Sequence, residues 1–233
     1  MTRLIAGVTV PDTPLINASI ALAQESLPIN GFHHVMRAWL NGQAIINHLP
    51  SVNRSAVDME AFGVATILHD LGWAFNTSFV SADKWFEVDG AQAARDFIRN
   101  SGASESEWDA HRLQLVWDAV ALHTNPAIAA FKQPEVVYTS AGTFTEVVGP
   151  EQARTIFGDV ITVTQTEWEA ILEAYPRTKF RSYFLGTLAT LCQIKPLTTY
   201  DNFLAGFGDK FVPGYNKTGK RTVDLIDAVL TDE

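Results

Sequence analysis

Apolar residues recur at helical spacing through most of this chain, and that pattern limits the folds open to it. A helix turns once every 3.6 residues, so apolar side chains three and four apart form one stripe that has to be buried. Leu15, Ala18, Ile20 and Leu22 make the first such stripe, and Phe32, Val35, Met36, Trp39 and Leu40 the second. Further helices are expected over roughly Glu87 to Asn100, Glu135 to Val147, Thr166 to Ala174, Lys179 to Ile194 and Val223 to Leu230. Start signals agree: Ser55 with Asp58 reads as a capping box opening SAVDMEAFGVATILHDLG, and Ser104 with Glu107 as another before WDAHRLQLVWDAVALH. Gly72 and Gly102 stand where helices should end. Val160 to Thr164 has strand-like composition without flanking support for a sheet, and is expected to be loop. The expectation is an all-α fold.

Internal repeats and low-complexity tracts are absent, and Pro and Gly fall singly between the periodic segments, so the 233 residues read as one domain. A hydrophobic fraction of 47% is enough for a packed core and too high for a disordered chain. The formal charge of -9 argues against nucleic acid as a partner, because holding phosphates requires a basic face. No apolar run reaches the roughly 18 to 20 residues that span a bilayer, so no membrane partner is expected. The single Cys192 cannot form an internal disulfide, the start MTRLIAGVTVPDTP lacks a secretory apolar stretch, and the final TDE matches no address signal. A cytoplasmic protein is expected, with a closed homo-oligomer as the default assembly.

Of six histidines, His33, His34, His69 and His123 fall inside predicted helices among apolar neighbours. Polar groups on such faces need a partner or a metal. The sharpest case is His69 with Asp70 in ILHDLG. Neighbouring side chains diverge by about 100° on a helix, yet near a helix end a long imidazole and a short carboxylate can reach one ion between them. Imidazole nitrogen and carboxylate oxygen suit zinc, ferrous iron or manganese, and without usable cysteines the site is of the catalytic kind. Taken alone, the dipeptide also fits an N–H to carboxylate contact or simple surface placement.

The surroundings of that pair resemble the HD-domain family, in which a first His, a later His-Asp pair and a distant acidic residue hold a divalent metal. His34 in FHHVMRAW matches the first histidine, with His33 and Arg37 at the flanking positions. The likeness is closer to the cyanamide hydratase-like branch and covers most of the chain. It is carried by ILHDLG, DKWFEVDGAQAARDFI, WDAVALHT and CQIKPLTTYDNFLAGFGDKFVPGY. The resemblance implies a single-domain HD-type helical bundle, its metal-site core at about residues 30–150 and C-terminal helices 151–233 packed on it. It also implies a metal held by His34, His69 and Asp70, zinc first, with iron or manganese as alternatives. Where the family's last acidic ligand is expected, FTEVVG offers Glu146. A Glu reaches about 1.5 Å further than an Asp, while ligand distances tolerate roughly 0.2 Å. Glu146 therefore either coordinates in a remodelled site or leaves a position open to water.

His123 closes a helix, as a ligand or proton carrier or as a capping group. Lys84, Glu87 and Asp89 form a charged rim beside Trp85 and Phe86, or the two acids occupy the favourable first turn of the next helix. Trp73 and Phe75 follow HDLG and are expected to wall the cavity, with Phe86, Glu87 and Asn125 as further substrate contacts. Trp39, Phe62, Phe79 and Trp117 read as core, His33 as packing, and His48 and His111 as surface.

Such a metal site activates water for attack on a nitrile-like or amide carbon, with Lys84, His123 or Asp70 moving the proton. The first reading is a metal-dependent hydratase or hydrolase acting on a small neutral nitrogen compound, cyanamide going to urea being the leading case. The second is phosphoester hydrolysis on a nucleotide, which the scarcity of cations beyond Arg37 and Lys84 disfavours. The third is a repurposed, non-catalytic protein.

Overall fold

A computed structural model describes residues 1–104 and 106–231. The chain forms a mostly helical bundle. It opens with a hairpin of β1 (Thr2–Ile5) and β2 (Val8–Pro11), antiparallel with Leu4 opposite Thr9. The hairpin is the one departure from the all-α expectation among the described residues. Its turn puts Ala6 and Gly7 at φ of 48° and 79°, the pair of positive values that a two-residue turn between twisted strands requires. Val8 and Val10 point into the core, and Thr9 between them is exposed.

The helices that build the core are α1 (Pro14–Ser26), α2 (Ile29–Asn47), the short α3 (Ser51–Arg54), α4 (Met59–Leu68), α5 (Phe86–Asn100) and α6 (Ala110–Ala121). They are followed by the short α7 (Pro126–Ala129), then α8 (Pro134–Val148), α9 (Pro150–Phe157) and α10 (Gln165–Ala174). The chain continues through α11 (Phe180–Ile194), α12 (Leu204–Phe211) and α13 (Thr222–Val229). Val160 to Thr164 ends a 3-10 turn and runs on as loop.

Two caps differ from expectation. Asp58, not Ser55, caps α4 by accepting from the Ala61 N–H at 3.0 Å, while the Ser55 hydroxyl donates back to Val52 and closes α3. Ser104 and Glu107 do bond to each other, but as a separate turn; Asp109 caps α6 through the Arg112 N–H at 2.9 Å. In both places the true cap lies nearer the apolar run, because the side chain must reach N–H groups of the first turn.

The tightest pairing in the bundle is α2 against α8. A Cβ on Gly142 would stand 2.5 Å from the Ala38 carbonyl, so a glycine is needed for the two backbones to come this close. That approach brings the polar faces of α2 and α8 together in the core.

Candidate metal centre

On α2, His34, Arg37 and Asn41 follow at three- and four-residue spacing and are all buried. They form one polar stripe on an otherwise apolar helix. His69 and Asp70 lie at the end of α4, where the chain leaves the helix for a 3-10 turn over Leu71–Trp73. Gly72 sits inside this turn, not at a left-handed helix end as expected. A Cβ there would stand 2.1 Å from the Phe86 carbonyl, so its role is to let α5 pack against the turn. His123 follows the end of α6.

These segments bring together His34, His69 and Asp70, a buried group that could hold a metal ion. His34 Nε2 and His69 Nε2 lie 3.1 and 3.2 Å from Asp70 Oδ2 and 3.3 Å from each other. His123 Nε2 stands 3.6 Å from the other Asp70 oxygen. The far side of each ring is tied. His69 Nδ1 donates to the Thr66 carbonyl at 2.7 Å, His123 Nδ1 to the Val120 carbonyl at 2.6 Å, and His34 Nδ1 to Glu146 Oε2 at 2.6 Å. A carbonyl can only accept, so the Nδ1 of His69 and of His123 carries the hydrogen and Nε2 is left as the inward-facing ligand atom.

Glu146 therefore has a different place from the one expected. It lies behind His34, on the Nδ1 side, and does not join the group around Asp70. Its other oxygen accepts from Arg37 Nε at 2.7 Å and is ion-paired with Arg37 Nη2 at 2.5 Å, with Arg177 Nε 3.6 Å away. With two arginines and an imidazole around it, the carboxylate is already neutralised and is committed to orienting His34.

Helix α8 aligns all three histidine segments through one polar stripe. Thr139 bonds at 2.8 Å to the hydroxyl of Thr66, the residue whose own carbonyl holds His69. Ser140 donates to the His123 carbonyl at 2.9 Å, and Glu146 holds His34. Sequence reasoning did not find this role. The available signal was a run of polar positions, Thr139, Ser140, Thr143 and Glu146, spaced to face one side of a helix.

The charges follow from this arrangement. Burial alone would lower the His34 pKa, but the Glu146 charge and hydrogen bond, with the Asp70 carboxylate close by, outweigh it and raise it to about 9. Burial also works against the Asp70 carboxylate, yet the nearby His69 and His34 hold its pKa well below the usual range. Burial, with His69 close by, pushes His123 down to about 3, so it stays neutral. Neither Asp70 oxygen accepts a well-formed hydrogen bond from any described residue. A buried carboxylate left so, with the Nε2 atoms of three imidazoles turned toward it, fits a divalent cation. The two-nitrogen, one-oxygen donor set suits zinc, iron or manganese alike.

A cavity of about 330 Å³ opens beside this group. Trp73 and Phe86 line it, as expected, together with Thr124, Thr143, Phe144, Val147, Val148, Phe184, Phe203 and Phe207, several of which sequence reasoning did not single out. Trp73 stacks on His34 with ring centroids 5.5 Å apart, and Phe180 flanks the same ring at 5.4 Å. The Trp73 indole N–H is buried and has no acceptor among the described residues.

Four expected contacts lie elsewhere. Lys84 is exposed and pairs with its neighbour Asp83, because the loop before α5 turns it to the surface. Phe75 is 37% exposed, and Asn125 is exposed ahead of α7. Glu87 is buried in the first turn of α5 behind Thr124, whose hydroxyl donates to it at 2.7 Å, and burial pushes its pKa up to about 7. Asp89, in the same first turn, pairs with buried Lys195 at 2.5 Å. His33 reaches the Pro176 carbonyl, His48 pairs with Glu167, and His111 is exposed.

No helix among the described residues is long and apolar enough to cross a membrane. No family model and no curated protein matches the chain.

Proposed function

We propose that this protein is a metal-dependent hydratase or hydrolase acting on an uncharged nitrile- or amide-type group of a nitrogen compound, cyanamide being the smallest molecule with such a group. This keeps the HD-type reading to which the sequence segments point. The observation that carries it is the Asp70 carboxylate, buried without a hydrogen-bond donor and faced by imidazole nitrogens whose other sides are tied. A divalent cation held by His34, His69 and Asp70 would supply Lewis acidity and acidify water at neutral pH. The chain's own residues do the rest. Asp70 Oδ1 and His123 Nε2, 3.6 Å apart and both without a hydrogen, are hydrogen-bond acceptors that would orient a water beside the cation. Trp73 lines the cavity and, stacked on His34, holds that ring in place beside it. The aromatic lining keeps competing water out.

Phosphoester hydrolysis is the second reading, and the cavity argues against it. None of the residues lining it is Lys or Arg. Arg37, the nearest buried cation, spends its guanidinium on Glu146 and on the Tyr175 carbonyl. A phosphoryl group beside the metal would find no second positive charge to share its developing charge.

The test is turnover by the metal-loaded protein of cyanamide, small nitriles and small amides, with urea, amide or ammonia measured, beside phosphate release from nucleotides and simple phosphoesters. Release of a nitrogen product without phosphate is expected. Phosphate release with no nitrogen product would refute the proposal.

A further inference from the structure

The metal cavity adjoins a second, larger hollow of about 700 Å³, and Val147, Phe184 and Phe207 belong to the walls of both. The two spaces differ in charge. No Lys or Arg lines the inner cavity, whereas the outer hollow is lined by Arg177, Arg181 and Lys210 and by no carboxylate. On a chain with a formal charge of -9, three cations without an acid among them are a local reversal of sign. Arg177 is engaged, donating to the Glu146 and Val147 carbonyls at 2.8 and 2.9 Å. Arg181 and Lys210 are exposed and form no ion pair or hydrogen bond with any described residue. Lys210 only rests over the Phe211 ring, 5.5 Å from its centroid.

We infer that the substrate is an amphipathic anion: its neutral reactive end lies in the inner cavity, its apolar body passes Phe184 and Phe207, and a carboxylate or phosphate at its far end rests between Arg181 and Lys210. This rests on the proposed function and narrows its substrate class. An inner space of about 330 Å³ is already within the range that holds drug-sized ligands, so a molecule of a few atoms would leave most of it unfilled. Apolar surface supplies affinity there and the two free cations supply selection and attraction from solution.

Calorimetric titration of the wild type and of the double variant Arg181→Gln, Lys210→Gln with octanoate, octyl phosphate and the neutral octanamide tests this. At low salt the wild type should bind at least one of the two anions about tenfold more tightly than octanamide, as two partly exposed ion pairs allow. In the double variant that preference should vanish while octanamide binding stays the same. Whichever anion is preferred identifies the head group. Equal binding of all three by the wild type would overturn the inference. So would a preference that survives in the double variant, since the anion would then be seated at the histidines. Metal content measured on the same samples separates this from the proposed function. Full metal content without anion preference refutes the substrate class alone; anion preference lost in the double variant of a protein that takes up no metal refutes the metal-dependent chemistry and leaves the anion site.

Discussion

Two buried carboxylates lie close together in sequence, Asp70 after α4 and Asp89 in the first turn of α5, and their surroundings are opposite. Asp89 Oδ2 accepts from Lys195 Nζ at 2.5 Å and from the Ser81 N–H at 3.0 Å, and Lys195 donates again to the Ser81 carbonyl at 2.9 Å. The charges cancel and the donors are used, so this pair is structural, joining the end of α11 to the start of α5. Asp70 is as deeply buried but has no aligned donor, and it is surrounded by ligand nitrogens. Burial of a charge therefore does not by itself mark a site. What distinguishes the site is the charge that the protein leaves incomplete.

The largest effect that would sharpen this contrast is on stability. Lys195→Met leaves Asp89 buried and unpaired, and should lower the unfolding free energy by about 3–5 kcal/mol in denaturant titration while metal content stays at the wild-type level. Metal loss in step with stability would mean that the two carboxylates form one unit and the comparison fails.

Glu146→Gln removes the charge that orients His34 without removing a ligand atom. Metal affinity should weaken about 10- to 100-fold, measured by competition with a coloured chelator. A complete loss of binding would instead make Glu146 a ligand.

The next effect is on pH. In the metal-free protein His34 is raised from 6.5 to about 9. Its contribution to stability is thus fully present below pH 6.5 and is lost as the pH rises through 9. Metal has to displace that proton, so affinity should climb about tenfold per pH unit between roughly 7 and 9 and then level, with about one proton released per metal at pH 7 by calorimetry in buffers of different ionisation enthalpy. In Glu146→Gln the climb should end at lower pH. The smallest effects belong to the surface: Lys84→Ala and His111→Ala should leave metal content and turnover unchanged.

The long helices were legible because each buries a 3.6-residue stripe, as α2 does with Val35, Met36 and Trp39. The hairpin was not, since each strand has only four residues and its turn begins with Ala instead of the Asn or Asp that usually announces one. Helix α12 escaped notice because two glycines in LAGFGDKF weaken the local helix signal, and packing against α11 supplies the rest. In the site, residue type pointed to His69 and Asp70 and the family resemblance to His34, and the three do come together. Which nitrogen of His34 faces Glu146 was not readable, because it depends on how α2 and α8 are rotated against each other. Nor could the stripe of α11 and α12 reveal that Phe184, Phe203 and Phe207 face a cavity, since a lining aromatic and a core aromatic look alike in sequence. Lys195 escaped notice for a similar reason. The lysine that meets an acid of DKWFEVDG comes from more than a hundred residues away, by tertiary packing.

The most direct test of the central claim, that the incomplete charge at Asp70 marks a metal centre, is elemental analysis of protein purified after saturation with zinc, iron and manganese. The account predicts one metal ion per chain in the wild type and in Lys84→Ala, and none in His69→Ala folded to the same helical content. A wild-type chain that takes up no metal, or a His69→Ala chain that keeps its full complement, would contradict it.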